Sequence, residues 1–335
     1  MEAVEPISVK PFPLFSLPAI PFYDILKEMR SVDVFALTLT SKKSQNCLRK
    51  QMYLQMNVVK NRWAGMELKY KKTDLKYLSI SVNSEYHREP TNMWKVGKYR
   101  IPIKDGGDYI NFIWKHQIET HQFLAQAICE AFRIKNLSFH VEYEYGYEAT
   151  WKLFDNILKF RNHLKVPIFQ FKITSLYLNM SIYSDMLDRL SDTPRLIITG
   201  DSYQNFTYDH QRPYPKEYLE IDHAEWIRLK DLMLLLKCKQ VRLHHVMYVT
   251  DRDWNTFLVK WMEGCKLVQI NIYGNVIDFD VILGKIPRKP NKNFWICRDN
   301  MDVQLENCYE IEREDGTKLY VAKDDHNLIL FNNKE

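Results

Sequence analysis

Three groups of residues have the types and spacing that could do chemistry. The run Ile197-Ile198-Thr199-Gly200-Asp201-Ser202 reads as a strand ending in a turn that would expose a serine. A serine nucleophile needs an imidazole base held by a carboxylate. No Asp-x-x-His follows Ser202. Gly200, Asp201 and Ser202 are therefore expected to form a turn. Asp251-Arg252-Asp253 and Asp278-Phe279-Asp280 each have the Asp-x-Asp spacing of a metal–nucleotide site. Aspartate is common, and Thr250 or Asp251 as a helix cap with acid in the first turn accounts for the first pair. His244-His245 are adjacent on an expected strand, so they point to opposite faces and are poorly placed to share one ion. The cysteines, Cys47, Cys129, Cys238, Cys265, Cys297 and Cys308, form no Cys-x-x-Cys pair and no zinc-ligand spacing with histidine. They are expected to be reduced core residues of a cytoplasmic or nuclear protein. No catalytic, metal or cofactor site is expected.

The elements that would position any site follow from the pattern of apolar residues. The chain has 335 residues, 46% of them hydrophobic, enough for a small domain beside a larger one. Its 47 Lys and Arg against 42 Asp and Glu give a net charge of +5. The basic residues mostly alternate with acids, and the short patches 69–72 and 288–292 read as solvated loops, so no nucleic-acid partner is expected. No secretory leader or membrane helix is expected either. Residues 12–53 read as three short helices. That unit holds too many large apolar residues to bury internally, so some must face another protein or domain.

Farther on, strand-like runs (75–82, 137–143, 168–178, 195–199, 240–246, 267–273) alternate with helix-like runs (117–133, 150–164, 182–190, 223–236, 251–262). That alternation implies a mainly parallel sheet with crossover helices. Val241 and Val268 are 27 residues apart, and the run 267–275 resembles the strand of a leucine-rich repeat. The tail reads as antiparallel strands at 303–313, 319–322 and 328–331, with Asp315-Gly316 as a hairpin turn. The expected fold class is α+β overall: a three-helix unit at 12–55, then a leucine-rich-repeat-like α/β domain at 65–335 ending in an antiparallel hairpin.

Residues 12–50, FPLFSLPAIPFYDILKEMRSVDVFALTLTSKKSQNCLRK, resemble the F-box as written in the large nematode families. The matching features are Leu17-Pro18, Ile25-Leu26, Met29, the run Val34-Phe35-x-Leu37-x-Leu39, and Ser41-Lys42. The family's usual Asp-Pro before the second helix is replaced by Arg30-Ser31. Residues 226–275 and the tail run IEREDGTKLYV are similar to the F-box-associated domain of type 2. The Gly200-Asp201-Ser202 block resembles that of GDS-type esterases, but those enzymes open with it and here it lies in mid-chain.

The F-box resemblance implies the substrate receptor of a cullin–RING ubiquitin ligase. Leu17, Pro18, Ile25, Leu26, Met29, Val34, Phe35 and Leu37 would dock on the Skp-family adaptor, which links to the cullin and RING subunits. The downstream domain would hold a protein substrate, and the chain itself would need no acid, base or nucleophile. A stand-alone leucine-rich-repeat-like binding protein is the alternative. The connection 200–222 is long for an α/β unit and rich in tyrosine. Tyr203, Tyr208, Arg212 and Tyr214 are expected to form part of the substrate surface, unless the tyrosines fold back on the sheet as a lid.

Overall fold

The structure is a computed structural model. It describes residues 29, 33, 52–59, 62–70, 76–83, 92–96, 99–105, 109–113, 124–126, 128–129, 134, 136–143, 147–164, 166–175, 180–200, 206–208, 214, 217–273, 278–291, 294–298, 301–305, 307–324 and 327–332. Two compact units are present, one of Met1–Met56 with Trp63–Lys135, the other of Asn57–Arg62 with Asn136–Glu335. Of the expected adaptor-binding residues only Met29 is described, half-buried in a bend; Leu17, Pro18, Ile25, Leu26, Val34, Phe35 and Leu37 lie outside the described residues.

The first unit is mainly sheet. Its strands are β1 (Met52–Val59), β2 (Arg62–Tyr70), β3 (Lys76–Asn83), β4 (Asn92–Val96), β5 (Tyr99–Asp105) and β6 (Tyr109–Ile113), in the order β1-β2-β3-β6-β5-β4. Pairing is antiparallel between β2 and β3, between β4 and β5 and between β5 and β6, and parallel between β3 and β6. Leu54, Met56, Met66 and Ile103 are fully buried. Residues 124–126 and 128–129 are helical, within the run 117–133 expected to be a helix. Two expectations are corrected here. Met52, placed on a third short helix, opens β1, and the basic patch at Lys69, placed in a loop, begins inside β2. β1 is a short, mostly apolar run broken only by Gln55 and Asn57, and β2 mixes Arg62, Glu67 and Lys69 into its apolar residues, patterns that leave helix, strand and loop hard to tell apart.

The second unit is built on a parallel run of strands. These are β7 (Leu137–Tyr143), β8 (Ile168–Ser175), β9 (Arg195–Thr199), β10 (Tyr218–Ile221), β11 (Gln240–His244) and β12 (Gln269–Tyr273). Helices α1 (Tyr147–Leu164), α2 (Met180–Arg189), α3 (Leu229–Leu235) and α4 (Asp251–Met262) lie in the crossovers. Sequence order and spatial order are the same from β7 to β12. Parallel crossovers are right-handed, so an order that never reverses puts every connection on one side of the sheet. Burial follows that rule. The rows Phe139–Phe171–Leu196–Leu219–Val241–Ile270 and Val141–Ile173–Ile198–Ile221–Leu243–Ile272 are in register and buried. Trp254, Phe257, Leu258 and Trp261 of α4, with Leu232 and Leu235 of α3, complete the core.

Beyond β12 the sheet turns antiparallel. β18 (Asn327–Asn332) pairs with β12, β17 (Lys318–Asp324) with β18, β16 (Asn307–Glu312) with β17, and the short β13 (Lys289–Pro290) with β16. The expected turn at Asp315-Gly316 is present: Gly316 has φ 77°, and the Asp315 carboxylate accepts the Thr317 N–H at 2.9 Å. The tail run expected as one strand at 303–313 is two. β15 (Met301–Leu305) pairs with β14 (Phe294–Arg298) in a separate two-stranded sheet.

Helix α4 shows how local chemistry sets an element. The Thr250 hydroxyl oxygen accepts the Asp253 N–H at 3.2 Å, and the Asp253 carboxylate accepts the Thr250 N–H at 2.9 Å. This reciprocal cap satisfies two otherwise orphaned donors. Thr250→Ala is expected to cost about 1 kcal/mol, read as a lowered urea midpoint with an unchanged m-value; an unshifted midpoint would mean that the cap contributes nothing.

Candidate protein-binding face

Side chains alternate across a strand, so the buried rows leave a complementary set on the other face of β7–β12. Register aligns that set into three rows. The first is Ser138–Gln170–Arg195–Tyr218–Gln240–Gln269 and the second is His140–Lys172–Ile197–Glu220–Arg242–Asn271. The third runs Glu142–Thr174–Thr199 and, past the end of β10, through Asp222 beside His244 to Tyr273. Most of these residues are half-buried, as on a sheet face that no helix among the described residues covers; Ser138 and Asn271 are buried.

The rows are internally braced. The Arg195 guanidinium lies 5.1 Å from the Tyr218 ring and 5.8 Å from that of Phe169, a cation held over two aromatic faces. The Thr199 hydroxyl bonds that of Thr174 at 3.1 Å. His244 stacks on Tyr273, with ring centroids 4.2 Å apart and planes 6° from parallel. Its Nε2 is 3.9 Å from an Asp222 carboxylate oxygen. Partial burial lowers the pKa of the His244 imidazole, while Asp222 and Glu220 pull it the other way. The Tyr218 hydroxyl donates to Glu220, and burial raises the phenol's pKa above its ordinary value.

At the carboxyl ends of β10 and β11 a rim of aromatic and basic groups borders this face. Met247 and Tyr248 are 55% and 52% exposed, large apolar groups left in solvent. Arg228 stacks on Tyr248 with its guanidinium 3.9 Å from the ring centroid, and it donates to the Glu225 carbonyl at 2.7 Å. His223 stacks on His245 at 4.9 Å, and His245 holds a left-handed φ of 59° that favours glycine or asparagine. Arginine and tyrosine are among the residue types enriched in the hot spots of protein interfaces.

The long connection behaves differently from the surface expected of it. Part of it is strand: β10, placed inside a loop by the sequence reading, joins the sheet between β9 and β11. Tyr208 and Tyr214 are buried, 7% and 1% exposed, so these two do not form a surface. Tyr208 donates its hydroxyl to Asp188 of α2 at 2.8 Å, and Phe206 and Tyr208 meet Trp226 edge-on at 5.4 and 5.6 Å. Phe206 and Tyr208 thus pack against α2 and Trp226. Desolvation favours this, because each ring loses its apolar area to other rings. Tyr203 and Arg212 lie outside the described residues, as do Asp201 and Ser202.

The remaining chemical candidates are spent on structure. Asp278 caps α5 (Phe279–Leu283) by accepting the Asp280 N–H at 2.9 Å, and Asp251 accepts the Asp278 N–H at 3.3 Å. Asp280 pairs with Arg288 at 2.8 Å, and Arg288 also lies over Tyr309 at 5.5 Å. The patch read as a solvated loop at 288–292 is therefore partly anchored. Cys129, Cys238 and Cys308 are buried free thiols and Cys265 is half-buried; burial pushes Cys238 up to about 12 and Cys308 up to about 11. No helix among the described residues is long and apolar enough to cross a membrane.

Residues 211–267 match the family described as F-box associated. The matched segment carries β10, α3, β11 and α4, and with them Arg228, Glu220, Asp222, Arg242, His244 and Tyr248. It starts upstream of the resemblance read at 226–275, and the tail run at 311–321 lies outside it. No solved structure matches the chain. The chain is 21% identical to the Skn-1 dependent zygotic transcript 15 protein of Caenorhabditis elegans, over 94% of this chain and 95% of that relative, and at residues 211–267 it carries an F-box-associated domain.

Proposed function

We propose that this chain is the substrate receptor of a cullin–RING ubiquitin ligase, non-catalytic in itself, with a protein substrate docking on the uncovered face of β7–β12. The observation that carries the reading is the F-box-associated segment at 211–267 lying across that face and its Arg228–Tyr248 rim. Residues 12–55 dock on a Skp-family adaptor, through Leu17, Pro18, Ile25, Leu26, Met29, Val34, Phe35 and Leu37. The adaptor brings the cullin and RING subunits. Catalysis is then proximity: a held substrate presents its lysines at raised effective concentration. The compartment is the cytoplasm or nucleus, and no nucleic acid or membrane takes part. The stand-alone binding module differs only in lacking the adaptor.

The test pairs Tyr248→Ala with Arg242→Glu, both exposed positions. The double variant keeps adaptor binding and its melting temperature, while capture of the ubiquitinated client falls about tenfold or more, the loss expected for a Tyr–Arg hot spot. Unchanged client capture would place the substrate site elsewhere.

A further inference from the structure

One cluster on this face has a donor set of its own. Glu220 and Asp222 stand two residues apart, hence on the same side of the β10 chain, and His244 lies beside Asp222 on β11. One ligand atom from each lies within 4.8 Å of the other two. We propose that Glu220, Asp222 and His244 bind a divalent cation of the zinc class, with an open coordination position facing outward from the sheet.

The donor types fit such an ion. One imidazole nitrogen and two carboxylate oxygens suit zinc and its first-row neighbours, and three protein ligands plus an open place is the arrangement of a zinc site that keeps an exchangeable ligand. Magnesium and calcium prefer all-oxygen shells and more ligands. Distances come close. Bonds of about 2.0–2.2 Å at tetrahedral angles set two ligand atoms of one ion about 3.3–3.6 Å apart. The 3.9 Å between His244 Nε2 and Asp222 is too long for a hydrogen bond and lies just outside that span. The remaining separations are within 4.8 Å, and rotation of the half-buried side chains closes them onto an ion.

The surroundings hold the ligands in place. Tyr273 stacks flat on the His244 ring, which fixes its plane. The Tyr218 hydroxyl donates to Glu220, as outer groups do to ligating carboxylates. The strands set the backbone spacing by their ladder, so little ordering is lost when the ion arrives. Arg242, the register neighbour of Glu220, is exposed and free to swing outward as the site fills. The open position then takes water or a side chain of a docked protein.

The test uses the purified full chain, stripped with a chelator and titrated with Zn²⁺ against a chromophoric competitor. One equivalent binds. Asp222→Asn, His244→Ala and the near-isosteric Glu220→Gln each weaken binding about tenfold or more. His245→Ala, at the next residue, which stacks on His223 and is not one of the three ligands, leaves it unchanged. Zn²⁺ raises the melting temperature of the wild type and not of the three variants, because only a ligand of the folded state stabilises it; Mg²⁺ does neither. Failure of the wild type to bind Zn²⁺ overturns the proposal. So does wild-type binding by Asp222→Asn and His244→Ala, or an equal loss in His245→Ala. None of these results depends on adaptor or substrate, so the site stands or falls apart from the ligase reading.

Discussion

Trp261→Ala is expected to lower the melting temperature of the second unit by roughly 10 °C, since Trp261 is the largest fully buried side chain among the described residues. Trp261 is fully buried on α4, among Phe257, Leu258 and the strand rows beneath. Its indole N–H donates to the Leu267 carbonyl at 2.9 Å, which ties the end of α4 to the chain entering β12. Truncation removes the ring's burial, leaves a cavity and strands that carbonyl. Deletions of this kind cost about 3–5 kcal/mol, and a unit of this size loses about 2–4 °C per kcal/mol. Trp261→Phe keeps most of the volume and loses the hydrogen bond, so it should cost about a third as much, roughly 1–1.5 kcal/mol. Thermal melts followed by near-ultraviolet dichroism read both. A drop below ~3 °C for Trp261→Ala would mean that the α4 core is not the keystone its burial implies.

Ile25→Asp is expected to abolish adaptor binding while leaving the second unit folded. The F-box resemblance places Ile25 on the apolar side of a short helix. An unpaired carboxylate forced into an apolar interface costs several kcal/mol, against the ~8 kcal/mol that holds a micromolar complex. Leu17→Ala with Pro18→Ala should act in the same direction. Size-exclusion chromatography with purified adaptor checks the result. Equal co-elution of Ile25→Asp and wild type would remove residues 12–55 from the adaptor interface.

The parallel half of the fold was legible because its strands are apolar on the buried side and its helices keep a helical period. The limits of β7, β9 and α4 coincide with those read from the sequence. Thr250 announced α4 through its cap. What the sequence hid is short or two-faced. β10 is four residues, Tyr-Leu-Glu-Ile, with a burial pattern of one in two. So short a run between polar residues looks like loop until its neighbours pair with it. The strands of the first unit mix lysine, arginine and glutamate among their apolar residues, so the apolar pattern is diluted.

The site was legible in part. The pair His244-His245 was singled out as two rings on opposite faces of a strand, poorly placed to share one ion, but Glu220 and Asp222 were lost inside the expected loop. Their approach to His244 depends on the register of β10 against β11, which no local pattern encodes. Tyr208 and Tyr214 misled for the opposite reason. A tyrosine's composition is equally suited to a binding surface and to a core edge. Tertiary packing against Trp226 and α2 decided for the core.

The account rests most on a protein substrate meeting the uncovered face of β7–β12. A photo-crosslinking residue placed in turn at Arg242, on that face, and at Lys260, on exposed α4, tests this directly. The receptor is expressed with the adaptor, and the proteasome is blocked. Position 242 should capture a client that carries ubiquitin and loses it when Ile25→Asp is added; position 260 should capture none. Capture of the same client from 260 and not from 242 would contradict the account.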